Sequence, residues 1–458
     1  MYWLKYKLAC NYIKKNRYDD ALKILYGLIK KKYPEIYLSI AEIFFRKGMI
    51  TESHRYLKQI LTLNNWYKKS IVERILKITN WKMLVNNKNF CREPVFSPDG
   101  EKILFVAATR DTNNDGKINV LDRGAIFVVN RDGEGLKCLV PDEYYNTSPK
   151  FSPDNRYIVF LSARRDTNND KIIDNKDDCG MYLLDTVSGE EKLLVEDFRK
   201  PKHPSFSPDG KKIIFTCWQT TGSCSGVYEI DIATLNIKTL VREFFENAFP
   251  TYSPDGRKIV FSSWRGEFFT YGSVMGNSII CVKDLETMEE IQITSDKYIN
   301  SFPIFSNDGR YVAYLSKRRD TNGDGEINSL DNDGIYIYDL DKKKEFVVHS
   351  DEFYNKYINF TADNKNIVFL TCGDKKDSSF KHFFEFKGIY KCDLRGKKFE
   401  QIVSEKYYGC TSPSTSPKRN EVVYTSFRRD TMRGLYLAYI DNFPSEEEMK
   451  DIIKRNLL

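Results

Sequence analysis

The spacing of hydrophobic positions changes near residue 80. Before it, apolar and small residues recur three or four positions apart, a period that predicts amphipathic helices. After it, short apolar runs alternate with Gly, Pro, Asn and Asp, a pattern that predicts strands. The chain is therefore expected to be mainly β with an α N-terminal domain. The predicted boundaries are a helical domain at 1–80, a β domain at 81–442 and a C-terminal helix at 443–458.

One phrase, Phe-Ser-Pro-Asp-Gly with variants, organises the β domain. Successive copies start 46 to 55 residues apart, and they begin at Phe96, Phe151, Phe206, Tyr252, Phe305, Phe360 and Thr415. In six copies a proline stands two residues before the phrase, and an aromatic residue always stands nine residues after its start. A fixed period of this length indicates a propeller or another repeat array.

Each repeat contains enough apolar runs for four strands, which is one propeller blade. The seventh repeat supplies its third strand at 435–441 and then turns helical. The run 81–85 precedes the first phrase and has the character of an unpaired fourth strand. We predict that it pairs with 435–441, which protects exposed strand edges. The expected fold is a seven-bladed β-propeller of four-stranded blades, closed by the N-terminal strand 81–85 and preceded by a helical hairpin array.

The repeated Pro-x-Phe-Ser-Pro-Asp-Gly phrase resembles the repeats of TolB-like propellers and, more distantly, the propeller of prolyl oligopeptidases. The resemblance covers residues 81–442 and implies the fold alone, since propellers host many functions. TolB itself has six blades and a different N-terminal domain, so a role in the Tol system does not carry over.

The helical segment resembles two tetratricopeptide repeats. Small residues stand 12 positions apart at Ala9 and Ala21, and again at Ala41 and Ser53, with the two copies offset by 32. Such residues let paired helices approach closely, and the usual period of these repeats is 34. A capping helix is expected at 68–79. The alternative is a plain helical hairpin without a partner.

Three blades carry an acidic insertion between their second and third strands, at 111–122, 166–177 and 320–331. Each insertion has Asp, Asn and Asp at positions 1, 3 and 5 and Asp at position 12, the ligand spacing of an EF-hand-type calcium loop. A glycine occupies position 6 in the first and third insertions, whereas the second has Lys171. Asp instead of Glu at position 12 predicts modest affinity. The alternative is an Asx-rich turn without metal.

The expected ligands come from positions 1, 3, 5, 7, 9 and 12, where position 7 offers its main-chain carbonyl. In the first loop they are Asp111, Asn113, Asp115, Lys117, Asn119 and Asp122. In the second they are Asp166, Asn168, Asp170, Ile172, Asp174 and Asp177. In the third they are Asp320, Asn322, Asp324, Glu326, Asn328 and Asp331. Two or three Ca²⁺ ions are expected, pinning the loops; no organic cofactor is predicted.

Aromatic pairs follow the fourth strands at 144–145, 244–245, 353–354 and 407–408, and blade-specific clusters occur at 268–271 and 380–386. The pairs are expected to pack between blades, and the clusters to offer an interface. Ten cysteines lack metal-type spacing. They are expected to be buried thiols, with Cys217–Cys224 and Cys372–Cys392 bridges as the alternative in an oxidising compartment.

Charge and targeting signals add little to the predicted partners and location. Residues 1–80 carry 17 Lys and Arg against 6 Asp and Glu, but they are spread over several helices, so a nucleic acid is not favoured as a partner. No transmembrane segment or secretory signal is evident. These features favour the cytoplasm, whereas weak calcium loops favour a periplasmic or extracellular location. The oligomeric state stays open.

The favoured function is a non-enzymatic, calcium-binding scaffold whose protein partners bind the helical repeats, the propeller face or both. No catalytic residue is predicted. No GxSxG segment occurs, and the stretch after residue 442 is short for a hydrolase domain. The alternative is a propeller enzyme, either a hydrolase or a lactonase-like protein, with its site in the central channel.

Overall fold

The computed structural model describes residues 2–46, 50–63, 66–67, 71, 75, 81–85, 89–218, 225–242, 246–264, 277–371, 388–404, 410–426, 434–440 and 450. The chain divides into two compact units, residues 1–83 with 437–458 and residues 84–436. The predicted capping helix at 68–79 and C-terminal helix at 443–458 lie almost wholly outside the described residues. No helix in the described ranges is long and apolar enough to cross a membrane.

The helical part contains two helical pairs. Their helices are α1 (Tyr2–Lys14), α2 (Tyr18–Leu28), α3 (Pro34–Arg46) and α4 (Ile50–Ile60). Pro34 opens α3, where its missing N–H costs nothing. The four predicted small residues are fully buried, and the Ser53 hydroxyl donates to the Ala41 carbonyl at 2.8 Å. The close approach of the paired helices is thus present, while membership of the tetratricopeptide class stays a prediction.

The predicted seven-bladed propeller is confirmed, with seven four-stranded antiparallel sheets. In blades 1 to 3 the strands are β2 (Phe90–Phe96), β3 (Lys102–Ala108), β4 (Ala125–Asn130), β5 (Lys137–Val140), β6 (Tyr145–Phe151), β7 (Tyr157–Ala163), β8 (Gly180–Asp185), β9 (Glu191–Val195), β10 (Lys202–Phe206), β11 (Lys212–Trp218), β12 (Ser225–Asp231) and β13 (Ile237–Val241).

Blades 4 to 6 repeat this order. Their strands are β14 (Asn247–Tyr252), β15 (Lys258–Trp264), β16 (Ser278–Asp284), β17 (Glu290–Gln292), β18 (Ile299–Phe305), β19 (Tyr311–Lys317), β20 (Gly334–Asp339), β21 (Lys344–His349), β22 (Asn355–Phe360), β23 (Asn366–Thr371), β24 (Gly388–Asp393) and β25 (Phe399–Ser404).

Blade 7 is closed by the N-terminal strand, as predicted. It consists of β26 (Cys410–Thr415), β27 (Glu421–Ser426), β28 (Gly434–Tyr439) and β1 (Trp81–Val85). The order within its sheet is β1-β28-β27-β26, so 81–85 takes the place of the missing fourth strand. The first strands of neighbouring blades contact one another in most of the ring, which makes them the innermost strands around the central channel.

The repeated phrase is a hydrogen-bonded turn between the first and second strands. In blade 1 the Ser97 hydroxyl donates to Asp99 Oδ1 at 2.6 Å, and the N–H of Lys102 donates to the Ser97 hydroxyl at 2.9 Å. Gly100 then adopts a φ of 76°, a left-handed conformation that glycine takes most easily. The phrase therefore encodes a turn, and its seven-fold recurrence sets the strand starts.

The phrase aspartates make the propeller sensitive to acid. The pKa values of Asp154, Asp209 and Asp255 are lowered, chiefly by the preceding serine hydroxyl. At Asp99 and Asp363 burial acts to raise the pKa, and the same kinds of bond outweigh it. A folded pKa below the unfolded value of about 3.9 gives stability that is complete above that pH and is lost as the pH falls through the folded pKa.

We therefore expect the urea midpoint to drop between about pH 4 and pH 3, measured against pH 6. The Asp209→Asn variant should show a smaller drop, because it removes one titrating group. A midpoint that stays constant down to pH 3 would contradict the expectation.

Candidate functional site

The acidic insertions join the second and third strands of blades 1, 2 and 5, between β3 and β4, β7 and β8, and β19 and β20. Their first halves are compact turns. In the first loop, Asp111 accepts main-chain N–H groups of Asp115 at 3.2 Å and Gly116 at 2.8 Å, and Asp115 accepts that of Lys117 at 2.9 Å. The second loop repeats this pattern, and the third differs only in that Asp320 accepts the N–H of Gly323 instead of that of Asp324.

The second loop has the same backbone although it lacks the glycine. Position 6 is left-handed in all three loops, with φ of 83° at Gly116, 72° at Lys171 and 93° at Gly325. The Asp166 carboxylate accepts the Lys171 N–H at 2.8 Å, as Asp111 does for Gly116. Lysine therefore takes the conformation that the sequence pattern assigns to glycine.

The aspartates at position 12 fasten the loops to their own main chain. Asp122 Oδ1 accepts the Thr112 N–H at 2.6 Å and the Thr112 hydroxyl at 3.0 Å, while its Oδ2 accepts the Asn119 N–H at 2.8 Å. Asp177 and Asp331 make the same bonds, and all three side chains are buried. Their carboxylates thus close each loop.

Position 9 differs between the loops. The side-chain amides of Asn119 and Asn328 donate to the position-5 carboxylates of Asp115 and Asp324 at 3.0 and 2.7 Å. These bonds help to lower the pKa of both carboxyls: the Asn119 bond is the largest cause at Asp115, whereas the Glu326 N–H is the largest at Asp324. In the second loop, Asp174 has no amide to donate; like Asn119 and Asn328, it accepts the N–H of the residue two positions on.

The loops offer oxygen donors only. In the first loop the main-chain N–H of Asp115 donates to Asp111 and Asn113, and the Asn119 amide donates to the Asp115 carboxylate; oxygen is the donor that Ca²⁺ prefers. Within the described ranges, no three or more His, Cys, Asp and Glu side chains are grouped to hold a metal ion. The position-12 carboxylates are occupied by the main chain, so the predicted ligand sets stay predictions.

A second constellation lines the channel. Each first strand has a bulge, and the residue before the recurring proline (Ile358 in blade 6) is left-handed, with φ between 50° and 56°. We name these seven residues the channel ring: Glu93, Ser148, His203, Phe249, Phe302, Tyr357 and Ser412. This conformation is strained for residues other than glycine, and such strain concentrates at functional sites.

Equivalent side chains of neighbouring blades meet at the ring. The centroids of His203 and Phe249 lie 4.2 Å apart, and those of Phe249 and Phe302 lie 4.0 Å apart. Across blades 1 and 2, Glu93 accepts the Thr147 hydroxyl at 2.8 Å and also the Ser148 N–H. The approach of equivalent positions places the ring near the propeller axis.

Two ionisable side chains lie near the ring, Lys150 and His203. Lys150, two residues after Ser148 on β6, is exposed, and Glu93 is close enough to act on its charge. Burial, with a contribution from Lys202, lowers the pKa of His203 to about 4. His203 is therefore neutral at physiological pH.

Several predicted features are packing elements or lie outside the described residues. Tyr145 is buried beneath the Arg92 guanidinium, which lies 4.9 Å from its ring centroid, as expected for aromatics between blades. The pairs at 244–245 and 407–408 and the clusters at 268–271 and 380–386 lie outside the described ranges. Cys217 and Cys392 are buried thiols, while Cys224 and Cys372 also lie outside.

Comparison with known proteins shows the fold and points to enzymes. No family model matches the chain. The uncharacterized peptidase YuxL of Bacillus subtilis (strain 168) is 25% identical over 124 residues, which cover 27% of this chain and 17% of that protein. The match thus spans about a sixth of the relative's own length.

Solved structures share the propeller. An oligogalacturonate lyase in complex with manganese is 14% identical and covers 79% of this chain and 93% of its own, with a TM-score of 0.56. A prolyl endopeptidase is 11% identical and covers 82% and 51%, with a TM-score of 0.56. TolB from Acinetobacter baumannii is 21% identical and covers 70% and 67%, with a TM-score of 0.45. The lyase and the prolyl endopeptidase thus share the propeller fold with this chain.

These findings correct the predicted function. The expected non-enzymatic scaffold is wrong, since the curated relative is a peptidase and the structural neighbours include a lyase and a prolyl endopeptidase. A GxSxG elbow belongs to one hydrolase architecture, so its absence from the sequence does not bear on a site in the channel. Sequence reasoning also missed the channel ring, although the residue before each recurring proline marks it.

Proposed function

We propose that this chain is a propeller enzyme of the hydrolase class that acts on peptides, with the channel ring as its substrate site. One observation carries the proposal: the Glu93 carboxylate is held across two blades by Thr147 and Ser148, and Lys150 lies two residues after Ser148 on the same strand, close enough to Glu93 for the two charges to interact. A carboxylate and an ammonium beside one another on a strained channel backbone can serve as a pair of catalytic groups. The peptidase relative supports the choice of substrate class.

The two groups supply what peptide hydrolysis needs. Thr147 and the Ser148 N–H orient the Glu93 carboxylate, which takes a proton from the attacking water as the water oxygen bonds to the peptide carbonyl carbon. The Lys150 ammonium stabilises the oxyanion that develops. The carbon–nitrogen bond then breaks, and the proton held by Glu93 passes to the leaving amine. Both side chains thus have roles that a substitution can separate.

Removal of the base is expected to abolish most of the activity. With the full chain and a panel of unstructured peptides, Glu93→Gln should lower kcat about 100-fold. Glu134→Gln, an exposed turn residue of blade 1, is the matched control and should retain full activity. Circular dichroism and the urea midpoint establish that both variants fold. Full activity of Glu93→Gln, or no turnover of any peptide by the unaltered chain, would overturn the proposal.

We also propose that the acidic loops bind Ca²⁺. The side chains at positions 1, 3, 5 and 9 carry the oxygen donors that Ca²⁺ prefers, while position 12 closes the loop through the main chain. Asp111, Asp166 and Asp320 would hold it with their loop partners. Bound calcium would neutralise the gathered carboxylates and stiffen the connection between the second and third strands.

Calorimetric titration of the metal-stripped chain should detect two or three ions, and the short ligand set places their dissociation constants at about 10⁻⁴ to 10⁻³ M. The triple variant Asp111→Ala, Asp166→Ala and Asp320→Ala should bind none. Asp296→Ala, an exposed acid outside the loops, is the control. Absence of binding at millimolar calcium would refute the proposal.

A further inference from the structure

Four successive blades place aromatic side chains in the channel ring. We call His203, Phe249, Phe302 and Tyr357 the aromatic arc. They occupy the same bulge position, with φ between 53° and 55°, and the first three rings contact each other in sequence, with centroids 4.2 and 4.0 Å apart. The remaining ring positions, Ser412, Glu93 and Ser148, are polar. The ring is therefore divided into an aromatic side and a polar side.

The aromatic arc leaves apolar surface open. Phe302 is 48% exposed and Tyr357 is 44% exposed, although the residue after each one is buried in its blade. Keeping large aromatic rings in water on a strained backbone costs free energy twice, once through exposure and once through the left-handed conformation. Neighbouring exposed aromatics on a concave wall are typical of a binding surface.

Charge restricts what this surface accepts. Aromatic faces bind either flat apolar groups or cations. His203 is neutral because its pKa is about 4. Lys202 directly precedes it along β10 and is exposed, so a positive charge lies next to one end of the arc. A cationic side chain placed on the arc would be repelled by Lys202, whereas an aromatic side chain would not.

We infer that the aromatic arc is a specificity surface that receives an aromatic side chain of the peptide and disfavours Lys or Arg there. This inference rests on the proposed peptide hydrolysis. Phe249 and Phe302 provide the contact faces, Tyr357 extends them, and Lys202 excludes cations. These residues position the substrate, whereas Glu93 and Lys150 act on the scissile bond.

The test uses three fluorophore-labelled peptides that differ at one residue, Phe, Arg or Ala. The full chain should hydrolyse the Phe peptide with a kcat/KM at least about tenfold above that of the Ala peptide, in line with burial of one aromatic ring. The Arg peptide should be no better than the Ala peptide. Equal kcat/KM for all three peptides would overturn the inference.

Variants assign the preference to the arc. Phe302→Ala should lower the ratio of kcat/KM for the Phe peptide to kcat/KM for the Ala peptide about tenfold. Lys202→Met should raise kcat/KM for the Arg peptide alone. Ile291→Ala, a half-exposed residue on an outer strand, is the control and should change neither. If neither Phe302→Ala nor Lys202→Met changes the relative kcat/KM of the three peptides, the specificity does not come from the arc.

Binding separates the two proposals. Fluorescence anisotropy measures the affinity of the same labelled peptides without requiring turnover. A chain that hydrolyses none of the peptides can still bind the Phe peptide preferentially. If Phe302→Ala then abolishes that preference, the hydrolase proposal is refuted and the arc proposal is supported. Hydrolysis without any preference, or preferential binding that survives Phe302→Ala, would refute the arc and leave the hydrolase standing.

Discussion

Replacing Glu421 by alanine should lower the free energy of unfolding by about 3–5 kcal/mol, because it breaks a buried ion pair from one side. The Glu421 side chain is 1% exposed and lies on β27 of blade 7. It accepts both Arg131 Nε, at 2.7 Å, and a terminal guanidinium nitrogen of Arg131, which follows β4 in blade 1. The bidentate pair joins the two blades at which the ring closes, so its loss leaves a guanidinium without its carboxylate partner.

An exposed pair between the same two blades provides the control. Arg419 contacts Glu101 with side chains that are 37% and 55% exposed, and pairs of this kind contribute about 0.2–1 kcal/mol. Urea unfolding of Glu421→Ala and Glu101→Ala, followed by tryptophan fluorescence, compares the two contacts directly. Similar midpoints for both variants would mean that the buried pair does not hold the closure.

The second large effect is expected at Phe160. This residue is the aromatic that stands nine positions after the start of the second phrase, and it is fully buried. It packs with residues of blades 1 and 2, including Leu104, Ile126 and Leu184, and stacks on Tyr182 with centroids 5.8 Å apart. Phe160→Ala should cost about 3–5 kcal/mol, since both transfer free energy and a cavity are involved.

Phe302→Ala is the matched control for this substitution. It removes the same side chain from a half-exposed channel position, so the free energy of unfolding should change by no more than about 1 kcal/mol. Thermal and urea unfolding of the two variants distinguish a phenylalanine between blades from one in the channel. A small effect at Phe160 would contradict the packing role assigned to the repeated aromatic.

Much of the fold follows from local patterns that repeat. The phrase is a turn whose bonds lie within six residues, as between Ser97 and Lys102, so its spacing predicts the strand starts and the number of blades. The closing strand 81–85 was predictable because blade 7 lacks a fourth strand in its own segment. These features depend on neighbours in sequence, which a repeat exposes.

The channel ring is not visible in the same way. Its residues come together only when seven blades close, and a left-handed φ before proline has no signature in hydrophobic periodicity. Glu93 and Ser148 are 55 residues apart, yet their contact is a hydrogen bond across two blades. The site could therefore be recognised only from the tertiary structure, although six of its seven members directly precede a proline in the sequence.

The acidic loops, unlike the channel ring, were largely predictable from the sequence. Their positions, turns and carboxylates were read from the sequence, and Lys171 adopts the left-handed backbone without glycine. The position-12 aspartates, by contrast, are engaged by Thr112, Thr167 and Thr321, a use that ligand spacing does not reveal. The spacing of the residues identifies the oxygen atoms that could bind a metal ion. Whether those oxygens are already engaged by main-chain N–H groups depends on the folded loop.

The bulge in each first strand separates the residues that stabilise the propeller from the side chains that face its channel. Main-chain pairing and the buried residue after the bulge hold the backbone, while the side chain at the bulge is free to be Glu, Ser, His, Phe or Tyr. None of the seven is Val, Ile or Thr, which fit poorly where φ is positive. The seven bulge positions thus accept different side chains on the same backbone, and under the proposed function their substitution would change which peptides the channel accepts while each blade keeps its fold.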